Sequence, residues 1–516
     1  MLKSFDYIVV GGGTAGCVLA GRLSQTGVRV LLLEAGAAKP HAAMADPAAW
    51  FTLAGSTVDW AFQTIPQPGT DNAIHPWPRG KVLGGSSGIN GMMHVRGDRS
   101  SYDLWEMAGA TGWNYTSLLP FFKRSERAVG GDPTYRGLEG PMQAAPGPAT
   151  DPLWDACFEA AIEAGHPANA DANGASAEGV WWHDINVING RRQTAADAYL
   201  TPAAADPGPT IVADAHVQRL LITNGTCIGA EYTIGGQLHT AFAQREVVLA
   251  AGTIGTPHLL MLSGIGPGPH LHSFGIDILA DLPGVGQNLH DHTKSQVAYA
   301  TRRPVRADTD ARKPVVLTRS EPSVAPDLQM IFLDSPIHPR FAPGPEHGYS
   351  VIFSVMTPAS RGSVRLASTD AHQPPVIDPN YLADQRDVDR MVTGLRRARE
   401  IGAGSPLQSV RARELFPGPD DQTDDALRKY LRRTASTYFH PVGTCKIGTD
   451  TMSVVDPELK VHGISHLRIA DGSVMPSIVS GNTNAAILAI AERAAALLTG
   501  ELVARDGRSC AREQSG

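Results

Sequence analysis

The chain has 516 residues, more than one hydrophobic core of ordinary size accommodates, so two or three packed units are expected. Hydrophobic residues make up 42% and charged residues 18%, a composition that excludes a disordered chain. The net charge of −7 gives no electrostatic basis for a nucleic acid or an anionic membrane as partner.

Residues 5–10 form a short apolar run that ends in Gly11-Gly12-Gly13-Thr14-Ala15-Gly16. A periodic apolar segment over 17–23 and a second run over 28–33, closing at Glu34, complete a strand, glycine turn, helix and strand. The first strand follows the N-terminus directly and leaves no room for a signal peptide, so a soluble, cytoplasmic protein is expected. Residues 40–150 are rich in Pro and Gly with short elements, the pattern of an extended segment lying over a domain. A β-rich block follows over 209–252, with runs at 210–212, 219–223 and 247–250. From 300 to 435 the pattern changes: strand-like segments at 328–333, 349–356 and 363–366 precede a charged helix over 384–401. Arg396 to Arg399 on that helix read as a solvated face. This block lacks a glycine fingerprint and suits a separate, substrate-covering domain. The C-terminal part returns to glycine turns and ends in an apolar helix over 485–498, which Glu492 and Arg493 mark as a buried helix, not a membrane span. Beyond the Ala/Pro-rich 202–208 there is no low-complexity tract. Cys17, Cys157, Cys227, Cys445 and Cys510 lack any metal-like spacing and read as free thiols in a reducing compartment.

The fingerprint Gly11-x-Gly13-x-x-Gly16 lies where dinucleotide binding needs it, after a strand and before a helix that Thr14 and Ala15 open. The first glycine allows the tight turn, the second admits a pyrophosphate close to the backbone, and the third lets helix and strand pack closely. The helix N-terminus offers N–H groups to phosphates. Glu34, at the end of the second strand, is placed to accept hydrogen bonds from a ribose diol and disfavours a 2′-phosphate. This pattern alone does not separate FAD from NAD.

Further blocks do. Arg79-Gly-Lys-Val-Leu-Gly-Gly-Ser-Ser-Gly-Ile-Asn90 resembles the first signature of the glucose–methanol–choline (GMC) flavoprotein oxidoreductases. Ala250-Ala-Gly-Thr-Ile-Gly-Thr-Pro-His-Leu-Leu260, followed by Ser263-Gly-Ile-Gly-Pro267, resembles the second. Asp281-Leu-Pro-Gly-Val-Gly-Gln-Asn-Leu-His-Asp-His292, Tyr438-Phe-His-Pro-Val-Gly-Thr444, Leu467-Arg-Ile-Ala-Asp-Gly-Ser473 and Gly481-Asn-Thr-Asn484 follow in family order. The resemblance, choline dehydrogenase-like and aryl-alcohol oxidase-like, spans nearly the whole chain.

What it implies is an α/β protein with an α+β second domain. A Rossmann-like FAD-binding domain would be assembled from 1–144, 191–297 and 436–505, and a substrate domain on a mainly antiparallel sheet from 145–190 and 298–435, leaving 506–516 as a flexible tail. It implies FAD as cofactor, with Val217 over the adenine and Gly84, Ser87, Asn90 and Gly91 beside the flavin. Ala251 and Gly252 of the second signature join the cofactor contacts, as do Thr483 and Asn482. Asp471 and Gly472 would lie at the pyrophosphate and flavin edge. His440 would be the base near flavin N5, and Asn482 the second polar residue, with Asn484 as its fallback. Where choline-oxidase-like members carry the histidine that tethers FAD, this chain has Ile89, so FAD should be held non-covalently.

A neutral imidazole is a suitable base for a carbinol O–H, and the Asn482 amide can fix the same oxygen. The bland readings are a core histidine before Pro441 for His440 and a helix N-cap for Asn482, a role open equally to Thr483 or Asn484. His290-Asp-His292 reads as a structural turn, not a metal site. His94 reads as a strand residue near the flavin, and Asp59-Trp60 and Trp77 as packing at a domain seam that can border the substrate cavity. The expected function is FAD-dependent oxidation of a small-molecule primary alcohol, with a slight preference for an aryl or heteroaryl carbinol, pyridoxine-like or furanic. Reoxidation by O2 or a quinone-type acceptor is expected. The alternatives are a choline or aliphatic alcohol dehydrogenase and a non-redox, hydroxynitrile lyase-like member; a light-driven decarboxylating protein ranks last.

Overall fold

Two seven-stranded sheets organise the chain in a computed structural model, which describes residues 4–37, 39–147, 151–201, 208–305, 312–339 and 342–502. Cys510, the tail 506–516 and nearly all of the 202–208 tract lie outside the described residues.

The first sheet begins as the glycine-turn pattern predicts. Strand Ser4–Val10, helix Thr14–Ser24 and strand Val30–Leu33 form a βαβ unit whose two strands pair in parallel. Both strands are near-continuous apolar runs because helices and further chain cover both faces. The sheet order runs 210–212, 30–33, 4–10, 237–249, 226–234, 216–223, and 467–469 also pairs with 237–249. The 13-residue strand Gln237–Leu249 joins two architectures. Its first half closes an antiparallel meander with Thr226–Ile234, and its second half runs parallel to Ser4–Val10 and to Leu467–Ile469. Three distant chain segments thus share one sheet, and every strand end after which the chain turns toward the cofactor fingerprint lies at the same edge.

Helix Thr483–Leu498 packs on helix Thr14–Ser24 and on helix Tyr115–Ser125. Its Glu492 is fully buried, but paired: Arg22 Nη2 lies 2.7 Å and Arg124 Nε 3.0 Å from the carboxylate, and Tyr199 donates at 2.9 Å. A buried carboxylate is tolerated only with such partners.

The second sheet is antiparallel, in the order 411–416, 293–301, 348–355, 328–333, 314–318, 179–182, with 436–437 pairing beside 293–294. Helices Pro152–Glu163, Gln385–Gly402 and Asp424–Thr434 cover one face, where Val297, Tyr299, Met330, Val351 and Phe353 meet Leu395 and Leu431. The opposite face looks toward the first sheet.

Three readings need correction. Residues 40–150 are not only extended: helices Ser100–Met107 and Tyr115–Ser125 sit within them. Pro120 inside the second helix, and few residues of strong helix propensity around it, hid the pattern. Arg399 is not a solvated residue, for its guanidinium grips Glu414 at 2.8 Å and the Gly418 carbonyl at 2.8 Å, tying helix to strand. His94 turns away from the cavity into a buried ion cluster, 3.1 Å from Glu126, which Arg96 and Arg136 also bind. Those cations hold the Glu126 carboxyl far below the usual range despite burial. Among the described residues Cys17, Cys157, Cys227 and Cys445 are free and buried, and no helix is long and apolar enough to cross a membrane.

Candidate active site

A cavity of about 1650 Å³ lies between the two sheets. The first sheet contributes its glycine turn and the second its open face. Three helix N-termini open on it: Thr14–Ser24 behind Gly13, Gly252–Leu262 behind Ala251, and Thr483–Leu498 behind Asn482. None of the three N-caps makes a side-chain capping bond. The positive ends of three helix dipoles converge there, each behind an N-cap residue that caps no first-turn N–H, which suits a pyrophosphate and an electron-rich ring.

Gly11, Gly13, Thr14, Ala15, Glu34, Asn90, Gly91, Val217, Ala251, Gly252, Asp471, Gly472, His440, Asn482 and Thr483 all line this cavity. Gly16, Gly84 and Ser87 stand behind its wall. A Cβ on Gly16 would lie 1.8 Å from the Gly11 carbonyl oxygen, so only glycine lets the helix start that close to the strand. Gly84 donates its N–H to the Gly12 carbonyl at 2.7 Å, and Ser87 donates to Gly84 O and accepts from Ala195 N. These residues shape the loop that Asn90 ends.

Glu34 accepts from Gly12 N and from Gly36 N, both at 2.7 Å. Burial outweighs these bonds and pushes its carboxyl up to about 7. Each carboxylate oxygen keeps a lone pair for a diol. Asp471 instead accepts from Ser473 N, Gly252 N and Thr256 Oγ1 and so fixes the second-signature helix against the C-terminal turn. Asn484 accepts from Thr14 Oγ1 at 2.9 Å, which joins two of the helix N-termini.

His440 follows Phe439, whose φ of 68° is left-handed and held from both sides. Arg79 Nη2 donates to the Phe439 carbonyl at 2.6 Å, and His440 N donates to Asp291 Oδ1 at 2.8 Å. The other oxygen of Asp291 accepts from Tyr381, whose hydroxyl accepts from Trp77 Nε1 at 3.0 Å. Burial pushes the Asp291 carboxyl up to about 6.

The ring itself is oriented by His292 and Asn482. His292 Nε2 is 3.1 Å from the Met356 carbonyl, an acceptor only, so that nitrogen carries the hydrogen. Burial pushes His292 down to about 3, so the ring is neutral and its Nδ1 is a lone pair. His440 Nδ1 lies 2.9 Å from it and must be the donor. His440 is held well below the ordinary histidine range, first by burial and then by His292 and Arg79, so it too is neutral. Its lone pair is therefore on Nε2, where Asn482 Nδ2 donates at 3.2 Å. Asn482 Oδ1 is buried with no partner among the described residues and lies at the cavity wall. Such an orphan acceptor fits a bound group that brings its own donor.

Sequence reading found His440 and Asn482 but placed His290-Asp-His292 as a plain turn. His290 does pair by backbone with Val442, yet Asp291 accepts from the His440 backbone N–H and His292 reaches the His440 imidazole. Arg79, Tyr381 and Lys294 were also missed as site residues; only Arg79 stands inside a signature block. Trp60 borders the cavity, whereas Trp77 is buried against Tyr381.

A Rossmann-like sheet, three uncapped helix starts and a polar dyad facing an antiparallel substrate sheet define a flavin-dependent oxidoreductase. Family models for GMC oxidoreductase match residues 5–294 and 358–491, and the chain belongs to that family. It is 38% identical to the mitochondrial choline dehydrogenase of Homo sapiens, covering 96% of this chain and 90% of that one. It is 37% identical to an oxygen-dependent choline dehydrogenase of Sinorhizobium medicae, covering 96% of each. Among solved structures, pyridoxine 4-oxidase from Mesorbium loti superposes with a TM-score of 0.91 at 35% identity, over 95% of this chain and 98% of that one. The protein is a GMC alcohol oxidoreductase with FAD as cofactor.

Proposed function

We propose that the protein oxidises a primary alcohol, by preference an aryl or heteroaryl carbinol, to the aldehyde. The relay that leaves the His440 lone pair on Nε2 at the cavity wall carries this reading. His440 Nε2, which accepts from Asn482 Nδ2 in the structure, takes the hydroxyl proton as the carbinol C–H bond breaks, once the bound alcohol displaces that amide contact. Asn482 holds the same oxygen through its amide and limits the rotation of the carbinol. Bound FAD would supply the hydride acceptor, with O2 or a quinone-type compound as the terminal acceptor of its electrons. Glu34 and Val217 would hold its adenosine end, the glycine turn its pyrophosphate together with Asp471 and Gly472, and Asn90, Gly91, Gly252 and Thr483 its ring. Ile89 lines the cavity without a nucleophilic atom, so the cofactor is held non-covalently.

The substrate end of the cavity suits an aromatic guest. Met93, Ile185, Val315, Ile331 and Ile352 present apolar walls, and Tyr438 packs against His440 with ring centroids 4.8 Å apart. Within this reading the FAD-binding domain comprises 1–144, 191–297 and 436–505, and the substrate domain 145–190 and 298–435. An anaerobic titration of the holoenzyme with an alcohol panel tests it. Bleaching of the flavin by aromatic carbinols is expected, and rapid recolouring in air with peroxide would mark an oxidase. No bleaching by any alcohol would overturn the redox reading and favour a lyase.

A further inference from the structure

We propose that Lys294 makes this an enzyme for anionic alcohols, its ammonium serving as counter-ion to a carboxylate or phosphate on the carbinol that meets His440. The inference rests on the alcohol-oxidising reading of the site and adds the charge of the substrate.

Lys294 is the second residue of strand Thr293–Thr301. Val297 and Tyr299 of that strand enter the helix-covered core, so strand alternation sends Lys294 to the opposite face, and it lines the cavity. Among the described residues its ammonium has no carboxylate within ion-pair distance and no hydrogen-bond acceptor. The ring of Phe439, the residue before His440, lies 5.5 Å away. Asp291 acts on it only through space, since both carboxylate oxygens are engaged by Tyr381 and by His440 N.

A desolvated ammonium without a partner is costly, and burial pushes Lys294 down to about 8, which still leaves it mostly protonated at neutral pH. Other charged groups of the substrate end have occupations of their own. Lys313 lies over the Trp154 ring at 5.6 Å and is acted on by Asp334, Arg79 is bound to two carbonyls, and Glu346 and His347 stand at the exposed rim. Lys294 is thus the cation that faces the substrate with donors to spare, beside apolar walls that accept the rest of an aromatic ring. A quaternary ammonium alcohol would bring like charge to the same place.

The test uses FAD-loaded enzyme and matched probes: 4-(hydroxymethyl)benzoate, 4-(hydroxymethyl)phenyl phosphate, the neutral 4-(hydroxymethyl)benzamide, and choline. Anaerobic flavin reduction should favour an anionic probe over the benzamide by at least about tenfold, the span of one charge-assisted hydrogen bond. In Lys294→Met that ratio should fall about 10- to 100-fold, and Lys294→Arg should retain most of it. Benzoate, which cannot react, should perturb the flavin spectrum of the wild type at lower concentration than benzamide does, and the difference should vanish in Lys294→Met. The better of the two anionic probes identifies the acidic group. Equal use of anionic and neutral alcohols, or an unchanged ratio in Lys294→Met with FAD retained, would overturn the proposal. If no alcohol bleaches the flavin, the alcohol-oxidising reading fails, and benzoate binding still decides whether Lys294 takes an anion.

Discussion

His292 Nδ1 lies 2.9 Å from His440 Nδ1, and only one of these nitrogens can hold the hydrogen between them. The Met356 carbonyl decides which, by drawing the His292 hydrogen to its far side. A backbone carbonyl just beyond strand Gly348–Val355 therefore sets the tautomer of an imidazole on the C-terminal segment. Removing the acceptor, by His292→Leu, is expected to lower the flavin-reduction rate about 10- to 100-fold with FAD still bound, as for other residues that orient a catalytic imidazole. His292→Asn keeps an acceptor near the Nδ1 position and should recover part of the loss. Stopped-flow reduction separates this from a packing defect, because the rate constant should fall while substrate affinity changes little.

His440→Ala removes the proposed base. The expected loss is about 10²- to 10⁴-fold in the same rate, with a normal flavin spectrum. Asn482→Ala should cost less, about 10- to 100-fold, since it takes away an orienting hydrogen bond and not the proton acceptor. Near-wild-type reduction in His440→Ala would remove the base assignment.

Glu34→Ala leaves Gly12 N and Gly36 N without their acceptor in a buried turn. Each unpaired group costs about 1–3 kcal/mol, so the variant should purify with less FAD and melt earlier. Flavin absorbance relative to protein, followed through dialysis, reads the first effect.

Acid should destabilise the fold below pH 6.5. His166 and His183 are pushed down to about 4 and His292 to about 3, all mainly by burial. A depressed histidine favours the folded state fully above its unfolded value of 6.5 and loses that contribution as pH falls toward its folded value. Each contributes about 1.4 kcal/mol per pH unit inside that window. Asp291 and Glu34, raised to about 6 and 7, act in the opposite sense and offset part of the slope. The melting temperature is therefore expected to fall between pH 6.5 and 4. A flat profile would show that these imidazoles are hydrated.

Local physics made much of this protein legible in its sequence. The glycine turn after an apolar strand is a short-range requirement: Gly16 must lack a Cβ because the Gly11 carbonyl occupies its place, and no distant residue alters that. Glu34, His440 and Asn482 sit in fixed-spacing blocks beside Gly and Pro, so their neighbourhoods were readable. The apolar helix around Glu492 was readable as buried, though not the Arg22 and Arg124 that neutralise its charge.

Tertiary structure decided what depends on pairing across the chain. Asp291 and His292 lie about 150 positions from His440, and nothing in a turn-like His-Asp-His predicts which side chain reaches it. Lys294 could have faced the helix-covered core or the cavity; one residue of register in strand Thr293–Thr301 chooses between them. Sequence alone determined the cofactor turn and singled out the proposed base, because each is set by neighbours along the chain. The fold determined which His440 nitrogen carries the hydrogen and that Lys294 faces the cavity, because the first is set by groups that only packing brings together and the second by strand register.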